Sequence, residues 1–276
     1  MSLLDSSLWD VIIASFSPEI WKDLWGPIGE TLYMTTISSL IMLVFGLIIG
    51  IFFTVTNPDG LVPLKISYSV SGWIINWLIS LPQMIMIILM IPVARLIFGK
   101  AYGTNACIIA IAASCIPMYA RIVESSLLEI EKGKIEAAKA MGSSNLNIIF
   151  RILLPETLPS LIRGFTVSVI TVLSMTALAG MFGAGGIGDI AVRYGYQRFQ
   201  HDKLFACVYI LIFFVQLIQG VGIGLALLRR KLPAVNGVRF HAEMGSVVSE
   251  NIVGMGVGNH TDNAAFFLLP VNDGIH

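Results

Sequence analysis

Charge is scarce in this sequence. Asp, Glu, Lys and Arg make up 12% of the 276 residues, against 56% hydrophobic, where an ordinary soluble domain carries roughly 25% charged residues. The scarcity is also local. No Asp, Glu, Lys, Arg or His occurs from Thr31 to Pro58, Ile66 to Ala94, Ala101 to Ala120, Gly164 to Gly188 or Leu204 to Leu228. A transporter driven by protons or ions keeps a buried ionisable group in its spans, so these windows offer no ion-coupling machinery. The phosphate loop G-x-x-x-x-G-K-[ST] is missing too: Gly99-Lys100 and Gly133-Lys134 are followed by Ala101 and Ile135 and lack the upstream glycine. Cys107, Cys115 and Cys207 have no metal-ligand spacing and fit small buried residues, so neither a disulfide nor a metal is expected. A net charge of zero without a basic stripe argues against nucleic acid as partner. Asp5 and Asp10 precede the first basic residue, Lys22, and no long apolar core leads to a small-residue cleavage site, so the start is not read as a secretory signal.

What the chain has instead is length without charge. Each window runs 20 residues or more, and about 20 helical residues cross a hydrocarbon core of roughly 30 Å. The expected fold is an all-α polytopic membrane protein with five spans. Pro82, Pro92 and Pro117 are expected to kink the second and third. Three segments follow: 1–29, extracytoplasmic or interfacial; 30–232, the five-span domain; and 233–276, a tail of mixed Gly, Asn, Val and His whose apolar patch from Ala264 to Val271 is too short to span. Trp9, Trp21 and Trp25 fit either a surface-lying amphipathic segment or packing against the first span.

One polar insert interrupts the apolar chain, at about 129–156. Residues 129–141 are rich in helix formers, and Gly142 is the expected stop. Ser143 or Ser144 then caps a second short helix that Pro155 is expected to end. With this loop inside, ten basic residues near the spans lie inside (Lys65, Arg121, Lys132, Lys134, Lys139, Arg151, Arg163, Arg229, Arg230, Lys231). Six lie outside (Lys22, Arg95, Lys100, Arg193, Arg198, Lys203). That bias makes the loop and the C-terminus cytoplasmic and leaves the N-terminus outside. A hairpin merely joining two spans and a docking platform of small residues both fit the insert.

Its residues resemble a known family. Glu136-Ala137-Ala138, three residues, Gly142, nine residues and then Ile152-x-Leu154-Pro155 is similar to the loop motif of the permease subunits of binding-protein-dependent ABC importers, of type I. Gly183-Ala184-Gly185-Gly186-Ile187-Gly188-Asp189 and Arg193-Tyr194-Gly195-Tyr196-Gln197-Arg198-Phe199 look like the methionine-importer branch, and the similarity runs from about Glu30 to Leu232. The resemblance implies a non-enzymatic transport subunit of the bacterial inner membrane that binds no cofactor itself. Implied partners are a second copy, two cytoplasmic ATPases holding ATP and Mg, and an extracytoplasmic methionine-binding lipoprotein. It assigns ATPase coupling to Glu136, Ala137, Ala138, Gly142, Ile152, Leu154 and Pro155. Another cargo, such as a different amino acid, a methionine derivative or a short peptide, fits the same architecture. A passive channel or a membrane interaction protein is the reading from another class.

Three further groups are candidates. Met175, Leu178 and Met181 recur at threes, either as an apolar gate or as ordinary helix packing. Gly183, Gly185 and Gly188 match G-x-G-x-x-G but follow an apolar helix and not a strand, which argues against a dinucleotide site; with Gly186 they fit a flexible hinge or close helix packing. Arg193, Tyr196 and Arg198 sit in an expected outer loop, where contact with a binding protein and simple solvation look alike.

Overall fold

The computed structural model describes residues 8–99 and 103–231, with side chains from 11–99 and 103–228. The tail 233–276 and the Trp9 side chain lie outside the described residues. Those described residues form helices and no strand.

A short helix α1, Leu8–Ala14, precedes α2, Pro18–Thr56. Pro18 stands in the first turn, where its missing N–H is no loss. The 39 residues of α2 make it roughly 58 Å long, well beyond a bilayer core, so the last part of segment 1–29 belongs to the first span's helix. Trp21 packs with Ile20 and Leu24 against Ala206, Cys207 and Ile210, whereas Trp25 faces out.

The second window is not one straight span. It divides into α3, Lys65–Ser80, and α4, Gln83–Phe98, bent by 108°. The cause is local: Pro82 forces Leu81 out of the helical region, to φ −72 and ψ 133. Pro92 and Pro117 stay inside their helices. The helix of the third window, α5, Thr104–Leu128, runs past the end of that window and carries Arg121 and Glu124 inside it. The uncharged window is thus shorter than the helix that contains it, and the helix itself holds an ionisable pair.

Helices α2 and α5 form the centre. They approach closely because α2 turns small residues to the seam: a Cβ on Gly46 would lie 2.6 Å from the Tyr119 ring and one on Gly50 2.5 Å from Val123. Met34 and Met42 fill the gaps between them against Ile108, Ile111 and Cys115.

The insert gives α6, Lys132–Ala140, and α7, Asn145–Ile148; a π-helical turn, Ile149–Leu153, leads into α8, Leu154–Gly180. Pro155 does not end a helix, contrary to expectation. The Leu154 N–H already reaches back five residues to the Ile149 carbonyl, and this widened turn admits the proline ring at the start of α8. After α8 come α9, Gly186–Ile190, a π-helical turn at Ala191–Tyr196, and α10, His201–Lys231. Among the described residues four helical stretches are long and apolar enough to cross a membrane, and the bent α3–α4 pair brings the number to five when it is counted as one span. The expected five-span, all-α architecture is borne out in that form.

Candidate functional site

Helix α6 is a polar platform at the end where α2 and α5 finish and α8 begins. Gly142 stops it with φ +77, and nothing lies within 4 Å of where its Cβ would be. The Gly142 N–H donates to the Lys139 carbonyl at 3.0 Å and the Ser143 N–H to that of Ala138 at 3.1 Å, closing the last turn as a left-handed glycine cap does. Ser144, the second of the two expected caps, accepts from the Asn147 N–H at 3.4 Å.

Two ion pairs tether this platform. Lys132 reaches Asp59, after α2, at 2.8 Å, and Lys134 reaches Glu156 in the first turn of α8. The hydrogen bond and then the charge of Lys132 hold the Asp59 carboxyl below its ordinary 3.8, and Asp59 in turn holds the ammonium above 10.5. Glu156 raises Lys134 in the same way. Both pairs stand in solvent, so they steer the platform more than they stabilise it.

The motif residues divide by face. Glu136, Ala137, Gly142 and Pro155 are exposed, while Ile152 and Leu154 are half-buried against the core. Ala138 is only 1% exposed. The chain's own core covers it, and it fastens α6 to the bundle. Sequence reasoning missed Leu146 and Phe150, 67% and 63% exposed on the stretch that follows. The available signal was two large apolar residues, four apart, inside a polar insert.

At the other end of α8 the glycine run makes a tight turn. Gly183, Gly185 and Gly186 have φ of 77, 80 and 80, a region that side chains rarely enter. The Gly186 N–H donates to Glu30 at 2.7 Å and the Ile187 N–H to Thr31 at 2.9 Å. The Gly103 N–H donates to the Gly183 carbonyl at 3.2 Å, and the Thr104 hydroxyl to that of Ala184 at 3.1 Å. A Cβ on Gly188 would run into the Ala177 backbone. Of the two readings of this run, the geometry is that of close packing, pinned by three elements, and not of a free hinge.

The three gate candidates do not share an open face. Met175 is buried in the core, Leu178 is half-buried against it, and Met181 is 51% exposed. Packing explains Met175; Met181 alone is free to meet anything. Met181, Gly183 and Arg193 line one cavity of about 270 Å³ with Asp189 and Gln197. Arg193 pairs with Asp189 at 2.7 Å, Arg198 stacks over Tyr194 at 4.8 Å, and Tyr196 projects outward. A larger cavity of about 690 Å³ opens on the same end beside Glu30, Tyr33, Thr104 and Asn105.

The family model described as the binding-protein-dependent transport system inner membrane component matches residues 46–231. The chain belongs to this permease family. The permease is similar to the probable D-methionine transport system permease protein MetI of Vibrio cholerae serotype O1, 38% identical over 193 residues that cover 70% of this chain and 86% of the relative. It is similar also to the methionine import system permease protein MetP of Bacillus subtilis strain 168, at 40% identity over 72% of this chain and 90% of that one. A solved structure of the inward facing MetNI methionine ABC transporter matches 78% of the permease and 99% of its own chain, with 35% identity and a TM-score of 0.74. An amino acid ABC transporter at 16% identity and a TM-score of 0.61 shares the fold. As expected, this permease is a transport subunit with the fold of the type I importer kind.

Proposed function

We propose that this permease is the membrane-spanning subunit of an ATP-driven methionine importer. Two copies form the translocation path. Two cytoplasmic ATPases dock on the α6 platforms and hold the ATP and Mg, and an extracytoplasmic methionine-binding lipoprotein delivers cargo at the glycine-turn end. The loop and the C-terminus face the cytoplasm and the N-terminus faces outward, as the excess of basic residues at the loop end favours. The observation that carries the reading is the α6 platform itself: a short polar helix seated on the bundle through Ala138 and steered by two solvent-exposed ion pairs, with Leu146 and Phe150 presented beside it. Large apolar side chains left exposed next to a polar helix mark a protein contact.

Glu136, Ala137 and Gly142 meet the ATPase; Ala138, Ile152 and Leu154 pass its movement into the bundle. Arg193, Tyr196 and Arg198 meet the binding protein, and Met181 faces the path. The test is uptake of labelled methionine into vesicles holding the permease, its ATPase and its binding protein, with and without ATP and with competing amino acids. Uptake that needs ATP and yields only to methionine-like competitors is the expected result. Hydrolysis without methionine uptake would leave an importer of another cargo, and uptake without ATP would leave a passive channel.

A further inference from the structure

One ionic cluster inside the spans has no place in the transport path described above. Arg121 and Glu124 lie one turn apart on α5, about 10 Å and about 6 Å short of its loop end. Glu124 is 4% exposed. A carboxylate buried among spans is costly unless it is paired and hydrogen-bonded, and here both its oxygens are satisfied. Arg121 donates to Oε2 at 2.7 Å, and the Tyr68 hydroxyl donates to Oε1 at 2.8 Å. The second guanidinium nitrogen of Arg121 donates to Asn76 Oδ1 at 2.9 Å and to the Gly72 carbonyl at 3.2 Å, and the group lies 4.9 Å over the Phe53 ring.

Tyr68, Gly72 and Asn76 all belong to α3, the loop-side arm of the broken crossing. That arm buries only Gly72 and Ile75, and Ile66, Trp73 and Trp77 point away from the bundle. Beside an apolar contact of Ile75 and the Tyr68 ring with Ile49, Phe53 and Ala120, this cluster supplies the arm's polar hold on the bundle. The far end of α5 leads straight into α6, and Ser126 meets Ser160 of α8 at 3.0 Å. The cluster therefore stands between the platform and the arm.

We propose that Arg121 and Glu124, with Tyr68, form a clamp that passes movement of the α6 platform from α5 to α3, so that the arm follows α5 instead of sliding past it. They are positioning residues: directed charge-assisted hydrogen bonds fix one register between two helices, whereas an apolar contact of the same area permits slippage. The proposal rests on the reading of the chain as an ATP-coupled permease.

The test measures ATP hydrolysis and labelled methionine uptake together in liposomes holding the whole transporter with its binding protein. The double variant Arg121→Met with Glu124→Met removes the clamp without leaving a lone buried charge. It is expected to keep hydrolysis while uptake per ATP falls about tenfold. Arg121→Lys, which keeps the charge but loses the planar fork, falls between the two. Tyr68→Phe, the loss of one hydroxyl, lowers the ratio about threefold, and decides the matter if the double variant does not assemble. An unchanged ratio, or hydrolysis and uptake lost in equal proportion, overturns the clamp while leaving the transport reading in place. An unmodified chain with no ATP-dependent uptake overturns that reading and the clamp with it.

Discussion

The two ends of α8 are held in different ways. At the Gly180 end the struts are hydrogen bonds donated by backbone N–H groups, of Gly186 to the Glu30 carboxylate and of Ile187 to the Thr31 hydroxyl, together with backbone packed on backbone at Gly188. At the Leu154 end the α6 platform is anchored by the buried Ala138 and steered by Lys132–Asp59 and Lys134–Glu156, long side chains in solvent. Interactions of the first kind are short and rigid; those of the second are weak, screened by salt and free to re-form a few ångströms away. Stiffness and adjustability are thus separated along one helix. The loop end can swing about its Ala138 anchor, and the glycine-turn end moves only as a block.

The contrast breaks most visibly at Gly188. Gly188→Val drives a side chain into the Ala177 backbone and is expected to destabilise the chain by about 3 kcal/mol, seen as early loss of the monodisperse peak when the purified protein is heated. Native-like melting would show the glycine turn to be loose. Thr31→Val keeps shape but strands the Ile187 N–H, and at a buried site that costs about 2 kcal/mol; thermal unfolding reads the difference. A milder probe compares thiols. Met181→Cys is expected to react with a water-soluble maleimide about tenfold faster than Met175→Cys, because only Met181 is exposed; equal rates would return Met175 to the path.

The smallest effect belongs to the swinging end. The folded-state value of Asp59 lies below 3.8, so its contribution is present above that value and lost as pH falls through the lower folded one. Lys132 lies above 10.5, so its contribution is present below that value and lost as pH rises through the higher folded one. Between about pH 5 and 9 the tether is constant. A spin label at Glu136→Cys should show unchanged mobility across that range and greater mobility only in strong acid or base. A step near neutrality would mean that another group holds α6.

Much of this arrangement was legible in the residues. The uncharged windows located the crossings, and Gly142 with Ser143 or Ser144 located the breaks in the insert. What escaped was set by neighbours. Counting charges ended the third window at Ala120, yet α5 continues to Leu128 because Arg121 and Glu124 pair with each other and with α3, which no window shows. Pro155 reads as a helix stop in isolation, and the π-helical turn before it removes the reason to stop. Periodicity placed Met175, Leu178 and Met181 on one face, but α8 rotates Met175 into the core as it crosses α5. Ala138 looked like open surface for the same reason: small residues suit a partner's backbone and the chain's own core equally.

The most direct measurement is uptake per ATP hydrolysed in the reconstituted transporter carrying Gly142→Asp. The added carboxylate meets no neighbour at Gly142, but the φ of +77 strains the turn for any side chain, so Gly142→Ala, which carries the strain without the charge, is the control and an effect beyond it reports on what docks there. The expected result is normal membrane insertion and continued hydrolysis with uptake lost. Normal uptake in that variant would contradict the role of the α6 platform in coupling.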